Sequence, residues 1–146
     1  MHTATVSSMP LTLSAATVQT APSATSGSHR AMLRVEGAVM LVAGMVAWRL
    51  LGGSWGWFAA LFLVPDVSLV GYLAGPKVGA LVYNLGHSLV LPFLVAGLGL
   101  WLSAPMAFLA AALWVAHIGF DRLAGYGLKA STSFFDTHLG RVGKHG

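Results

Sequence analysis

The sequence predicts an all-α protein built as a four-helix transmembrane bundle, and three observations support that fold class. Of its 146 residues, 56% are hydrophobic and only 8% are charged, whereas charged residues make up about 25% of a soluble domain. The apolar residues form long, nearly uncharged runs instead of stripes with a polar opposite face, as is typical of helices surrounded by lipid. Glycine and proline divide these runs into lengths of about 20 residues, which a bilayer core requires.

The chain divides into a polar tail, four spans and a short C-terminal segment. Gly52 and Gly53 end the first span, and Gly75 with Pro76 ends the second, because glycine followed by proline stops a helix. Pro105 suits the first turn of the last span. The predicted boundaries are 1–30 for the tail, about 31–51, 55–75, 78–102 and 105–124 for the spans, and 125–146 for the juxtamembrane C-terminal segment.

Both ends of the chain are predicted to lie outside the bilayer. Residues 1–30 are rich in Ser, Thr and Ala, contain no acidic residue and show no hydrophobic periodicity, which is typical of a disordered tail. Residues 125–146 are too polar to span, although Phe134 and Phe135 would allow this segment to lie on the membrane surface.

The distribution of basic residues predicts that both termini are cytoplasmic. Short loops rich in Lys and Arg stay on that side, and a four-span threading places all the cations there except Arg49. The cytoplasmic set comprises Arg30, Arg34, Lys77, Arg122, Lys129, Arg141 and Lys144. Four tryptophans fall at the predicted outer ends, where aromatic rings favour the interface: Trp48, Trp55, Trp57 and Trp101. The predicted location is the inner (plasma) membrane, as a multi-pass protein.

Composition also limits the chemistry and the partners. The chain has no cysteine, which excludes disulfides, thiolate metal sites and thiol catalysis. The net charge of +4 comes from scattered cations at the ends of apolar runs, so we expect no nucleic-acid partner. Membrane lipid is the expected partner, and the small volume that four short helices enclose favours a homodimer.

Five ionisable residues interrupt the predicted spans: Glu36, Asp66, His87, His117 and Asp121. Ionisable groups inside a bilayer are costly and mark a functional site or a buried partner. At the helical rise per residue, Asp66, His87 and His117 lie roughly 10–13 Å from the inner ends of their spans, and Asp121 roughly 5 Å. The similar depth on three helices predicts one polar site in the cytoplasmic half of the bundle, whereas Glu36 lies further out.

Helical spacing adds polar neighbours to this site. His117 and Asp121 are four residues apart, as are Tyr83 and His87, so each pair shares a helix face. Asn84, three residues before His87, extends the polar face of the third span. Two imidazoles with two or three carboxylates form a normal ligand set for zinc, and also for iron or manganese.

We therefore predict a divalent metal site, with zinc as the preferred ion. Asp66, His87 and His117 are the predicted ligands, and Asp121 is the predicted catalytic residue, acting as a fourth ligand, an outer partner of a ligand or a general base. The predicted supporting residues within the spans are Glu36, Tyr83, Asn84 and Arg122. A structural interpretation stays open, because an intramembrane His or Asp often serves only as a hydrogen-bonded partner between helices. Arg122 could likewise pair with Asp121 or extend to the headgroups.

Three segments carry a resemblance to a known family. They are PDVSLVGYLAGPKVGALVYNLGHS at 65–88, HIGFDRLAGYGLK at 117–129 and THLGRVG at 137–143. They resemble the hallmark segments of a family of small, mainly bacterial, four-helix membrane proteins catalogued as a domain of unknown function, over about 32–143. The resemblance implies the fold and the membrane location, and it names no reaction or cofactor. It places His138 inside a family motif and so adds this residue to the supporting set.

Three classes of function fit these observations. A metal-dependent hydrolase acting on a lipid or amphiphile needs a bound cation and a water molecule, and we rank it first. A non-catalytic assembly or interaction protein would use the polar residues for helix packing alone. A small proton-coupled carrier would need polar residues that continue toward the outer face, where the spans contain mainly Leu, Val, Ala and Trp.

The predicted threading is testable with topology reporters. A reporter fused after Gly146, and another inserted next to Lys77, should both read as cytoplasmic, because the cations are concentrated on that side. Cysteine-accessibility labelling at the same two positions gives an independent measurement. An external reading at either position would contradict both the threading and the common depth of the polar residues.

Overall fold

The computed structural model describes residues 27–129, 136–137 and 140–141, and this part of the chain is predominantly α-helical. Most of the predicted tail, residues 1–26, lies outside the described residues. The elements in chain order are α1 (Gly27–Leu50), α2 (Trp55–Leu61), a 3₁₀ helix (Val64–Ala74), α3 (Pro76–Gly86), α4 (Val90–Trp101), α5 (Pro105–Ala124), β1 (Asp136–Thr137) and β2 (Gly140–Arg141).

The helical segments have the length and apolar character of membrane spans. Three stretches meet both criteria within the described residues: Gly27–Leu50, Trp55–Ala74 and Pro105–Ala124. Pro76–Gly86 and Val90–Trp101 together make a fourth candidate, which is bent by 45°. Large apolar side chains on these segments are widely exposed, as they are when lipid is the solvent. The chain is an α-helical membrane protein, and its helical segments begin and end close to the predicted boundaries.

The second predicted span is not one continuous α-helix. After α2 the backbone turns at Phe62 and Leu63 and continues as the 3₁₀ helix, in which Pro65 occupies the first turn. Proline has no N–H and clashes with the preceding turn, so the α-helical ladder stops there. The N–H of Asp66 instead donates to the carbonyl of Leu63 at 3.1 Å, which is the three-residue spacing of a 3₁₀ helix.

The third predicted span is also broken, at residues 87–89 between α3 and α4. The break has a physical reason. Pro92 cannot donate a helical hydrogen bond to the carbonyl of Ser88, which weakens the ladder at this point. The bend places His87 at the end of α3 instead of in mid-helix.

Glycines allow α1 and α5 to pack with their backbones close together. A Cβ added at Gly119 would lie 2.4 Å from the backbone nitrogen of Leu41, and one at Gly44 would lie 2.6 Å from the carbonyl oxygen of Ala112. Small residues drive this kind of packing in membranes, because dispersion contacts rather than water release hold the helices together. In the middle of α5, Ala112 and Leu113 form a buried apolar core cluster with Trp48 of α1.

The 3₁₀ helix and α3 form a second closely packed pair. Gly79 lies directly under the ring of Tyr72, and Gly71 lies against the side chain of Val82. The two pairs, α1 with α5 and the 3₁₀ helix with α3, carry the ionisable side chains on the faces that meet. This arrangement places the predicted polar site between the pairs.

The close approach of α1 and α5 gives a stability prediction. Gly119→Ala should lower the free energy of unfolding by about 1–3 kcal/mol, because the added methyl overpacks the backbone of α1. Thermal melting in a mild detergent measures the effect. Gly97→Ala is the matched control, because a Cβ at Gly97 meets nothing within 4 Å. Equal melting temperatures for the two variants would contradict the packing.

Candidate metal centre

Four ionisable side chains from three elements meet between the two helical pairs. Asp66 comes from the 3₁₀ helix, His87 from the end of α3, and His117 and Asp121 from α5. Each offers one ligand atom, and these four atoms all lie within 4.8 Å of one another. We call this group the Asp/His cluster.

The shortest distances in the Asp/His cluster join the two histidines and Asp66. His87 Nε2 lies 3.2 Å from His117 Nε2 and 3.3 Å from Asp66 Oδ1. His117 Nε2 lies 3.5 Å from the same Asp66 oxygen. Asp121 Oδ2 lies 3.4 Å from His87 Nε2, closer than the His117–Asp66 contact, and 3.8 Å from His117 Nε2. The two histidines and Asp66 form the most even triangle, and Asp121 is the carboxylate further from His117.

The helix break orients His87. The carbonyl of Tyr83 accepts the backbone N–H of His87 at 2.8 Å and lies 3.0 Å from its ring Nδ1. Because a carbonyl can only accept, Nδ1 carries the proton and Nε2 keeps its lone pair in the neutral ring. The ring of Tyr83 stacks on the imidazole with centroids 3.8 Å apart. These contacts aim the Nε2 lone pair of His87 at the centre of the cluster.

His117 is held by packing rather than by an outer hydrogen bond. Its side chain is 1% exposed, and its ring meets those of Phe62 and His87 edge-on, at centroid distances of 5.3 and 5.2 Å. Within the part of the chain that the structure describes, its Nδ1 has no hydrogen-bond partner. A metal-binding histidine usually has such a partner, so ring packing fixes this imidazole instead.

The two carboxylates differ in their surroundings. The hydroxyl of Tyr83 donates to Asp121 Oδ2 at 3.2 Å, and this is the oxygen that faces the histidines. Asp121 is 14% exposed, whereas Asp66 is 34% exposed. Asp66 is therefore the more accessible of the two carboxylates, and Asp121 lines a narrow crevice.

The ligand atoms have the spacing of a tetrahedral metal site. Bonds of about 2.0–2.1 Å to zinc separate neighbouring ligands of a regular tetrahedron by about 3.3–3.4 Å. The triangle of His87, His117 and Asp66 has sides of 3.2, 3.3 and 3.5 Å. Two imidazole nitrogens and one carboxylate oxygen are also a donor set that divalent ions accept. The Asp/His cluster could therefore hold a metal ion with little rearrangement.

Tyr83 and Asn84, both predicted as supporting residues, make different contacts. Tyr83 touches both His87 and Asp121, as described above. Asn84 instead holds the segment after α5: its Nδ2 donates to the carbonyl of Lys129 at 2.9 Å, and its Oδ1 accepts the Lys129 N–H at 2.7 Å. Asn84 therefore positions a neighbouring segment.

The other three predicted supporting residues lie outside the cluster or outside the described residues. Glu36 is exposed on α1, where the adjacent Gly37 faces α5. Arg122 lies beside Asp121 at a crevice next to the cluster, and its Nη1 is 3.6 Å from the sulfur of Met40. His138 is outside the described residues.

Sequence reasoning did not assign Lys129 to the site region. This side chain is buried, and its Nζ lies 5.4 Å from the centre of the Tyr83 ring. Burial lowers the pKa of the Lys129 ammonium below its ordinary value, although the negative charge of Asp121 opposes that shift. The family-like segment at 117–129 ends on this residue and was the only signal for it.

Trp114 of α5 makes a contact that supports the end of α3. Its Nε1 donates to the carbonyl of Gly86 at 2.6 Å. Carbonyls at the end of a helix lack an internal donor, so this bond from α5 stabilises the end of α3 just before His87. The indole thereby helps to fix the break on which the position of His87 depends.

Comparison with known proteins identifies the family and no activity. The family model described as a domain of unknown function (DUF4260) matches residues 30–142. The chain belongs to this family, in agreement with the resemblance of its motifs. No curated protein and no solved structure matches the chain.

The contact between Asn84 and Lys129 is testable without knowledge of the function. Asn84→Ala should accelerate hydrogen exchange at the Lys129 amide, because its 2.7 Å acceptor is removed. Ser88→Ala is the control, since the Ser88 hydroxyl donates to the carbonyl of Leu85 three residues earlier. Unchanged exchange at Lys129 in Asn84→Ala would show that the amide is protected by something else.

Proposed function

We propose that this member of the DUF4260 family is a metal-dependent membrane hydrolase that acts on a lipid or amphiphile. The single observation that carries the proposal is the triangle of His87, His117 and Asp66, whose ligand atoms have tetrahedral spacing. Zinc is the preferred ion for two imidazoles and a carboxylate, with iron and manganese as the alternatives.

A divalent ion would also solve an electrostatic problem. Two carboxylates held between apolar helices are very costly unless a positive charge compensates them. The bound ion would neutralise Asp66 and Asp121 together. Because catalytic zinc sites keep one position open for water, three protein ligands and a fourth free position are the arrangement that catalysis needs.

Asp121 is the proposed general base. Its oxygen lies further from His117 than that of Asp66 does and accepts a hydrogen bond from Tyr83, so it can face a water molecule in the open position. A divalent ion held by His87, His117 and Asp66 would make a nearby water molecule easier to deprotonate. Asp121 would take that proton and return it to the leaving group, while Tyr83 keeps the carboxylate in place.

The proposed setting is a four-span protein with both termini in the cytoplasm of a cell whose inner membrane it occupies. The bent pair of α3 and α4 would form the third span, and the distribution of cations supports this orientation. The cluster then lies in the cytoplasmic half of the bilayer, where a lipid of the inner leaflet can reach it. A homodimer is part of this proposal, since four short helices enclose little volume.

A structural role is the second candidate, and one contact favours it. With Nδ1 of His87 protonated, an Nε2–H of His117 can donate to Nε2 of His87 across their 3.2 Å separation. Together with the contacts to Asp66 and Asp121, this bond would join the two helical pairs without any metal. Interhelical hydrogen bonds of this kind are worth about 0.6 kcal/mol on average in membranes.

Metal content and metal-dependent melting separate the two candidates. The parent protein, purified in mild detergent, should contain about one divalent ion per chain, and a chelator should lower its melting temperature. His117→Ala should lose both the ion and the response to chelator, because a ligand is missing. Asp121→Asn should keep the fold and most of the metal but lose hydrolytic activity, because the amide preserves the shape and cannot accept the proton.

His29→Ala is the control that separates the loss of a metal ligand from a general loss of stability. His29 is exposed near the start of α1, so His29→Ala should retain the parent's metal content and its response to chelator. If the folded parent melts identically with and without chelator, the hydrolase proposal falls. Similar losses of stability in His117→Ala and Asp121→Asn, with no effect of metal, would then support the structural role.

A further inference from the structure

An apolar cavity of about 530 Å³, partly open to the protein surface, lies between the 3₁₀ helix, α3 and α5. Its wall includes Val64, Val82, Leu85, Leu109 and Leu113. The lining residues include no charged side chain, so the cavity suits hydrocarbon and not a polar molecule.

One end of this cavity borders the Asp/His cluster. Pro65 and Gly86 line the cavity, and each directly precedes a cluster residue, Asp66 and His87. Ser68 also lines it, with its hydroxyl 3.5 Å from His87 Nδ1. A molecule that fills the cavity therefore ends one residue away from Asp66 and His87, on the Nδ1 side of the His87 ring.

The residues of α5 show how the cavity lies relative to the cluster. Its wall on this helix runs from Met106 to Trp114, a rise of roughly 12 Å. His117 and Asp121 follow, and then a narrow crevice lined by Arg122 and Tyr126 among others. The apolar cavity, the cluster and a narrow crevice thus succeed one another along a single helix.

The size of the cavity suits a long hydrocarbon chain. A methylene group takes up about as much space as a water molecule, roughly 30 Å³ in the liquid, so the cavity has room for on the order of fifteen carbons. A compact apolar ligand would fill this space without reaching the crevice. A hydrocarbon chain that ends in a polar group, in contrast, matches the order of cavity, cluster and crevice along α5.

We propose that the cavity binds one acyl chain of a membrane lipid and places its carbonyl group at the Asp/His cluster. Resting on the proposed hydrolase function, this assigns long-chain acyl esters or amides as the substrate class. In the reaction, the oxygen of water bonds to the acyl carbon, and the bond from that carbon to the ester oxygen or amide nitrogen breaks. The departing oxygen or nitrogen takes a proton from the water, which leaves a fatty acid and an alcohol or amine.

The binding site can be tested without any catalytic turnover. The parent protein in phosphatidylethanolamine and phosphatidylglycerol vesicles is exposed to light with a trace of palmitic acid that carries a mid-chain diazirine. Mass spectrometry should find saturable labelling at Leu85, Leu109 and Leu113, and excess unlabelled palmitic acid should abolish it. Labelling spread evenly over the exposed apolar faces, without saturation, would overturn the acyl-chain site.

A pair of substitutions tests whether the labelled space is the cavity. Ala110 lines the cavity, so Ala110→Phe should fill it and eliminate the saturable labelling. Ala43 is exposed on α1 and away from the cavity lining, so Ala43→Phe should label like the parent. Val82→Phe provides a second filling variant if Ala110→Phe does not fold. Full saturable labelling in a folded filling variant would contradict the proposal.

Ester hydrolysis distinguishes failure of this inference from failure of the proposed function. With 4-nitrophenyl palmitate and 4-nitrophenyl butyrate as probes, Ala110→Phe should lose activity on the long ester and keep activity on the short one. Asp121→Asn supplies the background rate. Saturable labelling of the cavity without hydrolysis of either ester would leave the acyl-chain site standing and overturn the substrate assignment together with the hydrolase. Hydrolysis of both esters at unchanged rates in Ala110→Phe would overturn the acyl-chain site and leave the hydrolase.

Discussion

Compensation of charge between apolar helices is the constraint on which the rest of this structure depends. Asp66 and Asp121 lie within an ion's reach of two buried imidazoles, and carboxylates in such surroundings need a positive charge or several hydrogen-bond donors nearby. A metal ion would supply the first of these requirements, and Tyr83 supplies part of the second for Asp121. The helices must then be shaped so that four side chains from three elements meet at one point.

That shape comes from two interruptions of regular helix. Pro65 starts the 3₁₀ helix that carries Asp66, and the break before α4 leaves His87 at the end of α3. Irregular backbone at membrane depth is tolerated where it is buried in protein and its polar groups find partners. The carbonyl of Gly86 accepts a hydrogen bond from the indole N–H of Trp114. The carbonyl of Tyr83 accepts from both the backbone N–H and the ring Nδ1 of His87. The interruptions are therefore stabilised by the contacts that build the site.

The sequence allowed prediction of the spans and of the cluster members, because both depend on properties of single residues. Apolar runs of about 20 residues set the spans, and similar depths on three helices brought Asp66, His87 and His117 together. The extent of the two helix breaks is seen only in the structure, since proline shows that a ladder is weakened but not how far the chain bends. Glu36 was predicted as a supporting residue, but its side chain is exposed on α1. Successive residues point about 100° apart around a helix, and it is the adjacent Gly37 that faces α5. Lys129 reaches Tyr83 through a loop held by Asn84, a contact that no periodic pattern encodes.

The most direct test of the metal centre is X-ray absorption spectroscopy of the purified protein loaded with zinc. We predict one zinc ion per chain, with two imidazole nitrogens at about 2.0–2.1 Å and oxygen ligands at about 2.0–2.2 Å. The imidazole signal should fall when either His87 or His117 is replaced. Folded protein that binds no zinc, or zinc whose spectrum shows no imidazole, would contradict the proposed metal centre.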